Sequence, residues 1–557
     1  MRALSLSLLL TAATAAVLFQ AGSVRLRGEA LTSAALTGQV SSAEEGQMEG
    51  VLVTARKTGS TIAITVASDQ TGRYSFPRNR VEPGQYAVRI RAVGYDLDDP
   101  GPIEITQEKT VTADLKLHKA ADVSKQLTNT EWMMSIPGTE EEKKSLLNCV
   151  QCHTVERILK SGHDTDEFQQ VLERMGGYVN QSFPLHPQRR LAERLREEHG
   201  ELRQRARQKQ AEYLASIHWT AGAFPLKTLA RPKGRSTHFI VTEYDLPKRT
   251  MEPHDVLLDS QGMAWFSDFG EQILGRLDPK TGKVTEFAVP ELKHGSPIGA
   301  LGLQLDPEGN PWLGTMYQGA AAKFDRKTEK FQTWSMLPDY NKDMTQINMV
   351  EPQRSNVDGK VWTQNNGFAV IHRIDLATGK IEVFDPWPNM KPGDSHNIYD
   401  VIPDSHNNAY FTDFSHEQIG RVDAKTGEIK LWAAPTANSA PRRGQMDAQD
   451  RLWFGEYRGN KIGMFDTKTE KFQEWTSPTP YSAPYDVVLD KNGEAWTGSM
   501  TNDRVWRLNP KTGEMTEYQL PRSTNIRRVF VDNTTTPVTF WVGSNHGASI
   551  VKLEVLD

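Results

Sequence analysis

Seven short segments in the carboxy-terminal part of the chain set an aromatic residue in the same context: AWFSD, PWLGT, VWTQN, AYFTD, LWFGE, AWTGS and FWVGS. The aromatic residues are Trp265, Trp312, Trp362, Tyr410, Trp453, Trp496 and Trp541, separated by 47, 50, 48, 43, 43 and 45 residues. That period is the length of one four-stranded propeller blade. Each unit continues to a turn such as DPKTG or DAKTG and a final strand such as KVTEFAVP. Seven units predict a seven-bladed β-propeller over 236–557. The last unit ends at ASIVKLEVLD without a fourth strand, while VTEYDLP at 241–247 nearly repeats MTEYQLP at 515–521. The segment at 241 is therefore expected to complete the last blade and cover its edge.

Residues equidistant from a hairpin turn become neighbours across it. This arithmetic pairs His254 with Asp268, Leu301 with Thr315, Tyr399 with Asp413, Arg442 with Glu456 and Tyr485 with Ser499, and a longer turn brings in Arg527. These positions differ from blade to blade, whereas the Trp and the turn Gly recur. Varied ionisable groups converging on one mouth predict ligand binding or catalysis, with Tyr399, Asp413, Arg442, Glu456, Tyr485 and Arg527 as pocket candidates. The other readings are a water-filled polar funnel and, for Arg442 with Glu456, an ion pair across one hairpin.

The repeated Pro-His-Asp-Val (253–256) and Pro-Tyr-Asp-Val (484–487), with the aromatic strands, the Ile-Gly-Arg at 419–421 and the recurring Thr-Gly turns, is similar to the streptogramin lyase (virginiamycin B lyase) family. The resemblance implies opening of a macrolactone by elimination, with histidine as base or acid near Mg2+ and acidic side chains. Glu252-Pro253-His254 matches the family's Glu-Pro-His element. It puts His254 forward as the acid or base, with Glu252 and Asp268 as carboxylates that orient it or hold the Mg2+. The family's second histidine has no counterpart, since the neighbouring mouths offer Arg527 and Leu301. A likeness of fold alone is therefore the competing reading.

Both cysteines of the chain lie in Cys149-Val150-Gln151-Cys152-His153, the attachment signature of a covalent haem c. Two such thiols add to the vinyl groups, and the histidine after the second binds iron. A local redox disulfide or half of a zinc site are the other readings, and zinc would want further Cys or closely spaced His. Thr139 and the glutamates after it predict a helix N-terminus, TDEFQQVLERMGGY a second helix, and 186–219 a third helical region broken near Gly200. The ending AEYLASI resembles the terminal helix of small c-type cytochromes, which implies an α-helical cytochrome c domain over 121–222. Met175, 22 residues after His153 and just before Gly176-Gly177, is the expected sixth iron ligand. His163 and His186 are its rivals, and a core methionine is the bland reading.

Between 34 and 118, short alternating strands such as TIAITVASD and GQYAVRIRAVGY predict a small antiparallel sandwich. The order around DQTGRYSF resembles the carboxypeptidase regulatory-like, transthyretin-like domain, placed at 31–120. It implies a spacer, or a docking module for carbohydrate or a partner protein. Arg2, an apolar run from Leu4 to Phe19 and small residues near Ala21 read as a signal peptide within 1–30, or as an uncleaved anchor. Export to the periplasm or outside is expected. A net charge of -5 argues against nucleic acid.

The fold class is thus multidomain and mainly β: sandwich, helical cytochrome, propeller. Three functions fit: a redox protein whose propeller binds a small molecule while the haem passes electrons to a partner protein; a non-redox lyase or hydrolase; and a ligand-binding or sensory protein. No quinone, copper or flavin motif supplies a second redox cofactor.

Overall fold

The computed structural model describes residues 33–179, 182–189, 201–220, 223–391 and 394–556. The leader and the break expected near Gly200 lie outside them. The chain is mainly β, with a sandwich followed by a propeller.

Six four-stranded sheets follow one another, from Pro253–Leu258, Ala264–Asp268, Ile273–Leu277 and Val284–Ala288 to the one that ends with Met515–Gln519. A seventh set, Ile526–Asp532, Thr539–Ser544 and Ser549–Val555, takes its fourth strand from Phe239–Asp245, paired antiparallel from Phe239↔Val555 to Asp245↔Ser549. The innermost strands pack one against the next round the ring, and Pro253–Leu258 also packs on Ile526–Asp532. No described pairing joins one blade to the next, so side-chain packing rather than sheet closure holds them together.

The repeat residues have local reasons. Trp265, Trp312, Trp453 and Trp496 are buried, and each indole donates to the aspartate six residues earlier, Asp259, Asp306, Asp447 and Asp490, at 2.9–3.1 Å. The other oxygen of Asp259 accepts the turn N–H groups of Gln261 and Met263, so one carboxylate fixes the turn and satisfies the buried indole. Gly275 and Gly420 lie under Phe266 and Phe411, where a Cβ would come within 2.1 and 2.0 Å of the ring.

At the mouth every blade carries a one-residue bulge. Pro253 pairs with Asp268 but Asp255 with Ser267, which leaves His254 extra. Shifts recur at 300/303, 347/350, 398/400, 441/444, 484/487 and 526/529. The equidistance expected from sequence is therefore off by one: Asp268 faces Pro253, Thr315 faces Ala300, Asp413 faces Ile398, Glu456 faces Pro441 and Ser499 faces Pro484. A bulge opposes two residues to one and re-aims their side chains. Each blade thus sends successive side chains toward the axis.

In the sandwich, Ala34–Ser42 pairs in parallel with Leu115–Lys119 and Val111–Thr112, a departure from the wholly antiparallel expectation. Alternation specifies the buried face of a strand and leaves its direction open. The other sheet offers Ile62–Ala67 to the propeller, paired with Phe239–Asp245 from Tyr244↔Ile62 to Ile240↔Val66. Sandwich and seventh blade share one eight-stranded sheet. Arg91–Asp503 at 2.6 Å and Arg80–Glu554 at 2.7 Å tie them further.

Short helices lie between: α1 (Asn129–Ser135), α2 (Glu140–Ser145), α3 (Val155–Leu159), α4 (Thr165–Gly176) and α5 (Glu201–Ser216). Capping boxes start three of them, Thr128 with Glu131, Thr139 with Glu142, and Asp164 with Glu167. Most of the pentad falls in the 3-10 turn Leu146–Gln151 and its end. No helix among the described residues is long and apolar enough to cross a membrane.

Candidate functional site

The bulges build two buried layers on the propeller axis. The inner one holds Asp255, Asp400, Arg443, Asp486 and Arg528, with Arg443 Nη1 bonded to both Asp255 oxygens at 2.8 and 3.0 Å. Burial works to raise the Asp255 carboxyl, but Arg443 and then His254 hold it below the ordinary carboxylate range. The outer layer is a hydrogen-bonded chain. His254 Nδ1 meets Asp255 Oδ1 at 2.6 Å, His254 Nε2 meets the Tyr485 hydroxyl at 3.0 Å, and the Tyr485 and Tyr399 hydroxyls are 2.6 Å apart. Arg442 Nη2 donates to the Tyr399 hydroxyl at 2.9 Å.

His254 is fully enclosed, and burial pushes its imidazole down to about 3. Arg442 stands among the rings of Tyr485, Tyr457, Tyr399 and Phe414, 4.0–4.8 Å from their centroids, so π faces surround its charge. No described contact pairs it with Glu456, and the expected hairpin ion pair is absent among the described residues. Burial works to raise the Tyr399 phenol, yet Arg442 and Arg443 hold it below the ordinary value.

Glu252 and Asp268 are neighbours at the mouth end of the first hairpin. Both Glu252 oxygens and Asp268 Oδ2 are buried without a hydrogen-bond partner. Burial, then Asp268, raises Glu252 well above the usual carboxylate value, and burial pushes Asp268 up to about 7. Three orphaned carboxylate oxygens suit a shared proton or a hard, oxygen-seeking cation such as Mg2+. Glu456 stands apart, pushed up to about 8 by burial and then Glu474.

The helical segment sits on this mouth. Arg527 Nη2 donates to the Gln151 carbonyl at 2.6 Å, Asn525 Nδ2 to that of Val150 at 2.9 Å, and the Tyr457 hydroxyl to that of Leu147 at 2.7 Å. Trp132, Leu147 and Val150 share one apolar core with Tyr399, Phe414, Tyr457 and Tyr485. A cavity of about 270 Å³ remains, walled by Gln151, His396, Asn397, Tyr399, Phe414 and Arg442 among others. Of the pocket candidates, Tyr399 and Arg442 reach it. Asp413 contacts its wall through His396, whereas Tyr485 and Arg527 lie behind.

The pentad carries the two thiols and the histidine that a covalent haem would use. Cys149 and Cys152 are not joined in a disulfide, and burial, then Cys152, pushes the Cys149 thiol up to about 12. His153 Nδ1 lies 3.0 Å from the Thr154 carbonyl, the tie that orients an imidazole and leaves Nε2 for a metal. Met175 lies in the last turn of α4 and is 37% exposed, and His163 Nδ1 is 3.4 Å from Glu167.

Sequence reasoning missed Asn525, Tyr457 and His546. Burial pushes His546 down to about 3, and Arg527 and His153 are close enough to lower it further. The one available signal was Asn545-His546 interrupting the blade pattern after FWVGS.

The virginiamycin B lyase family model matches residues 394–556, and that of the carboxypeptidase regulatory-like domain matches residues 35–118. Among solved structures, selenomethionine-substituted virginiamycin B lyase from Staphylococcus aureus is 21% identical over 57% of this chain and 99% of its own, with a TM-score of 0.49. A streptogramin B lyase is 24% identical over 58% and 100%, also at 0.49. No curated protein matches the chain.

Proposed function

We propose that this is an exported, mono-haem c-type cytochrome protein that passes electrons between a small molecule in the propeller mouth and a partner protein. The observation that carries this reading is the clamp on the pentad: Arg527, Asn525 and Tyr457 hold its carbonyls, and Gln151 walls the same cavity as Tyr399 and Arg442. Haem bound through Cys149 and Cys152 would supply one-electron exchange at iron. His153 would hold the iron from the pentad, and Met175 is the proposed second ligand.

The other residues handle the small molecule and its proton. Arg442 offers the cavity a positive charge that no carboxylate neutralises among its described contacts, which favours an anionic or electron-rich ligand. The Tyr399 hydroxyl lines the cavity and, held below the ordinary phenol value, is placed to exchange a proton there. Tyr485, His254 and Asp255 extend the hydrogen-bonded chain behind it, at 2.6–3.0 Å, and fix its orientation. The test is the full chain made with haem-maturation machinery and screened for small molecules that reduce the haem. A c-type reduced-minus-oxidised spectrum is expected, with Tyr399→Phe slowing substrate-driven reduction by about 100-fold. A protein without a c-type spectrum overturns the reading.

A second reading, non-redox elimination on an ester or lactone, is favoured by the family match at 394–556 and by the orphaned Glu252–Asp268 pair that Mg2+ would bridge. There His254 serves as acid or base. Loss of lactone turnover in His254→Ala, with haem reduction untouched, would select it.

A further inference from the structure

We propose that the fourth blade holds a divalent transition-metal ion on His396, His416 and Asp413, a site distinct from the pentad and from the Glu252–Asp268 pair. The three side chains bring two imidazole nitrogens and one carboxylate oxygen within 4.8 Å of one another. The rings of His396 and His416 are 4.6 Å apart. Each group is already held in place. Asp413 is fully buried, and its Oδ1 accepts the N–H groups of Asn397 at 2.9 Å and Ser415 at 3.0 Å. Its Oδ2 meets His396 Nδ1 at 2.6 Å. His396 stacks on Trp387 with centroids 3.8 Å apart and planes 7° from parallel, and His416 Nε2 lies 3.0 Å from the Ser395 carbonyl. A carbonyl on the second ring nitrogen, as on His416, is a usual support of a metal-binding histidine, and the Trp387 stack fixes the His396 ring.

Comparison among blades separates structure from function. The place of Asp413 is taken by Asp268 in the first blade and Asn365 in the third, and both also cap a backbone N–H, of Glu271 at 2.7 Å and Gln346 at 3.1 Å. The carboxylate alone is therefore part of the scaffold. The histidines are not. The matching positions hold Met251 and Glu271 in the first blade, Ser439 and Gly459 in the fifth, and Ser482 and Asn502 in the sixth. A requirement of the fold would recur with the repeat.

The donor set selects the ion. Imidazole suits zinc, copper, iron or nickel, whereas magnesium and calcium take oxygen donors. Two histidines and one carboxylate on one side leave coordination positions open. Ser395, His396, Asn397 and Ser415 belong to the wall of the 270 Å³ cavity, so those positions face the same space as Tyr399 and Arg442. The ion would act as a Lewis acid toward whatever fills that cavity.

The inference stands apart from the haem reading because its readout is metal retention. Full-length protein is stripped with chelator, dialysed against Zn2+ and assayed for zinc per chain. Copper-loaded samples are examined by electron paramagnetic resonance for nitrogen couplings. Wild type is expected to retain one zinc more than the His396→Gln/His416→Gln double variant, and each single variant to bind at least about tenfold more weakly. His294→Gln, whose side chain is 101% exposed, should match wild type. Zn2+ should also raise the unfolding midpoint of wild type, and raise that of His416→Gln by less at the same concentration. Equal zinc retention in wild type and the double variant, or no zinc-dependent shift in wild type, overturns the site.

Discussion

His254 shows how a residue's surroundings decide its role. The folded chain keeps it neutral, because burial pushes its value from 6.5 down to about 3. The unfolded chain takes up a proton as pH falls below 6.5. The stability that goes with the neutral ring is therefore complete above 6.5 and is lost as pH falls toward 3, at up to about 1.4 kcal/mol per pH unit. Asp268 has the opposite sign: raised to about 7, its protonated form favours the fold, and that contribution fades as pH rises from 3.8 to 7. Denaturant unfolding between pH 4 and 8 should thus show a shallower acid loss in His254→Gln than in wild type, and an unchanged slope would contradict the buried neutral ring. Arg443→Met removes the partner of both Asp255 oxygens and leaves a buried charge uncompensated. The expected loss is about 3–5 kcal/mol in urea unfolding.

At the scale of the hairpin, the Trp–Asp pair is the device that repeats. Trp496 Nε1 donates to Asp490 Oδ2 at 3.0 Å, and Asp490 Oδ1 caps the turn at Asn492 and Glu494. Trp496→Phe keeps a large ring but orphans a buried carboxylate oxygen, for an expected cost of about 1–3 kcal/mol by thermal or chemical unfolding. A cost near zero would mean that the indole contributes area alone. This device is also why the propeller was legible: a strand period, a turn glycine and a buried aromatic leave marks at fixed spacing. The bulge leaves none, since His254 or Tyr399 reads as an ordinary strand residue until the ladder on either side is seen to differ by one. That hidden residue moved Asp268 and Asp413 one place along their partner strands. It also brought Asp255, Arg443 and Arg528 onto the axis, where sequence arithmetic had placed nothing. The pentad stands out as a motif because its spacing is local. Its dock does not, because Arg527 and Asn525 bind main-chain carbonyls, which carry no sequence signature. His396 and His416 were passed over because they lie in loops beyond the strand ends that the pairing argument addressed.

At the scale of the whole chain, the shared sheet decides what the sandwich is for. Phe239–Asp245 fastens the last blade on one side and pairs with Ile62–Ala67 on the other, so neither of its edges is bare. A spacer would leave that strand as an open template for other chains. Arg91 reaches the carbonyls of Leu520 and Arg522 and the carboxylate of Asp503, and Arg522 in turn binds Glu243 and Asp245 beside the seam. The seam is thus hydrogen-bonded along its length and flanked by ion pairs. Sandwich and propeller should therefore unfold in one calorimetric transition. Removing residues 33–118 should lower the propeller's midpoint and shift the protein toward higher oligomers on size exclusion, because the freed edge of Phe239–Asp245 seeks another strand. Replacing Ile64, in the middle of Ile62–Ala67, with proline cuts the same ladder without deleting the sandwich and should reproduce part of both effects. Two separate transitions, with the propeller's midpoint unmoved by the deletion, would return the sandwich to the status of a tether.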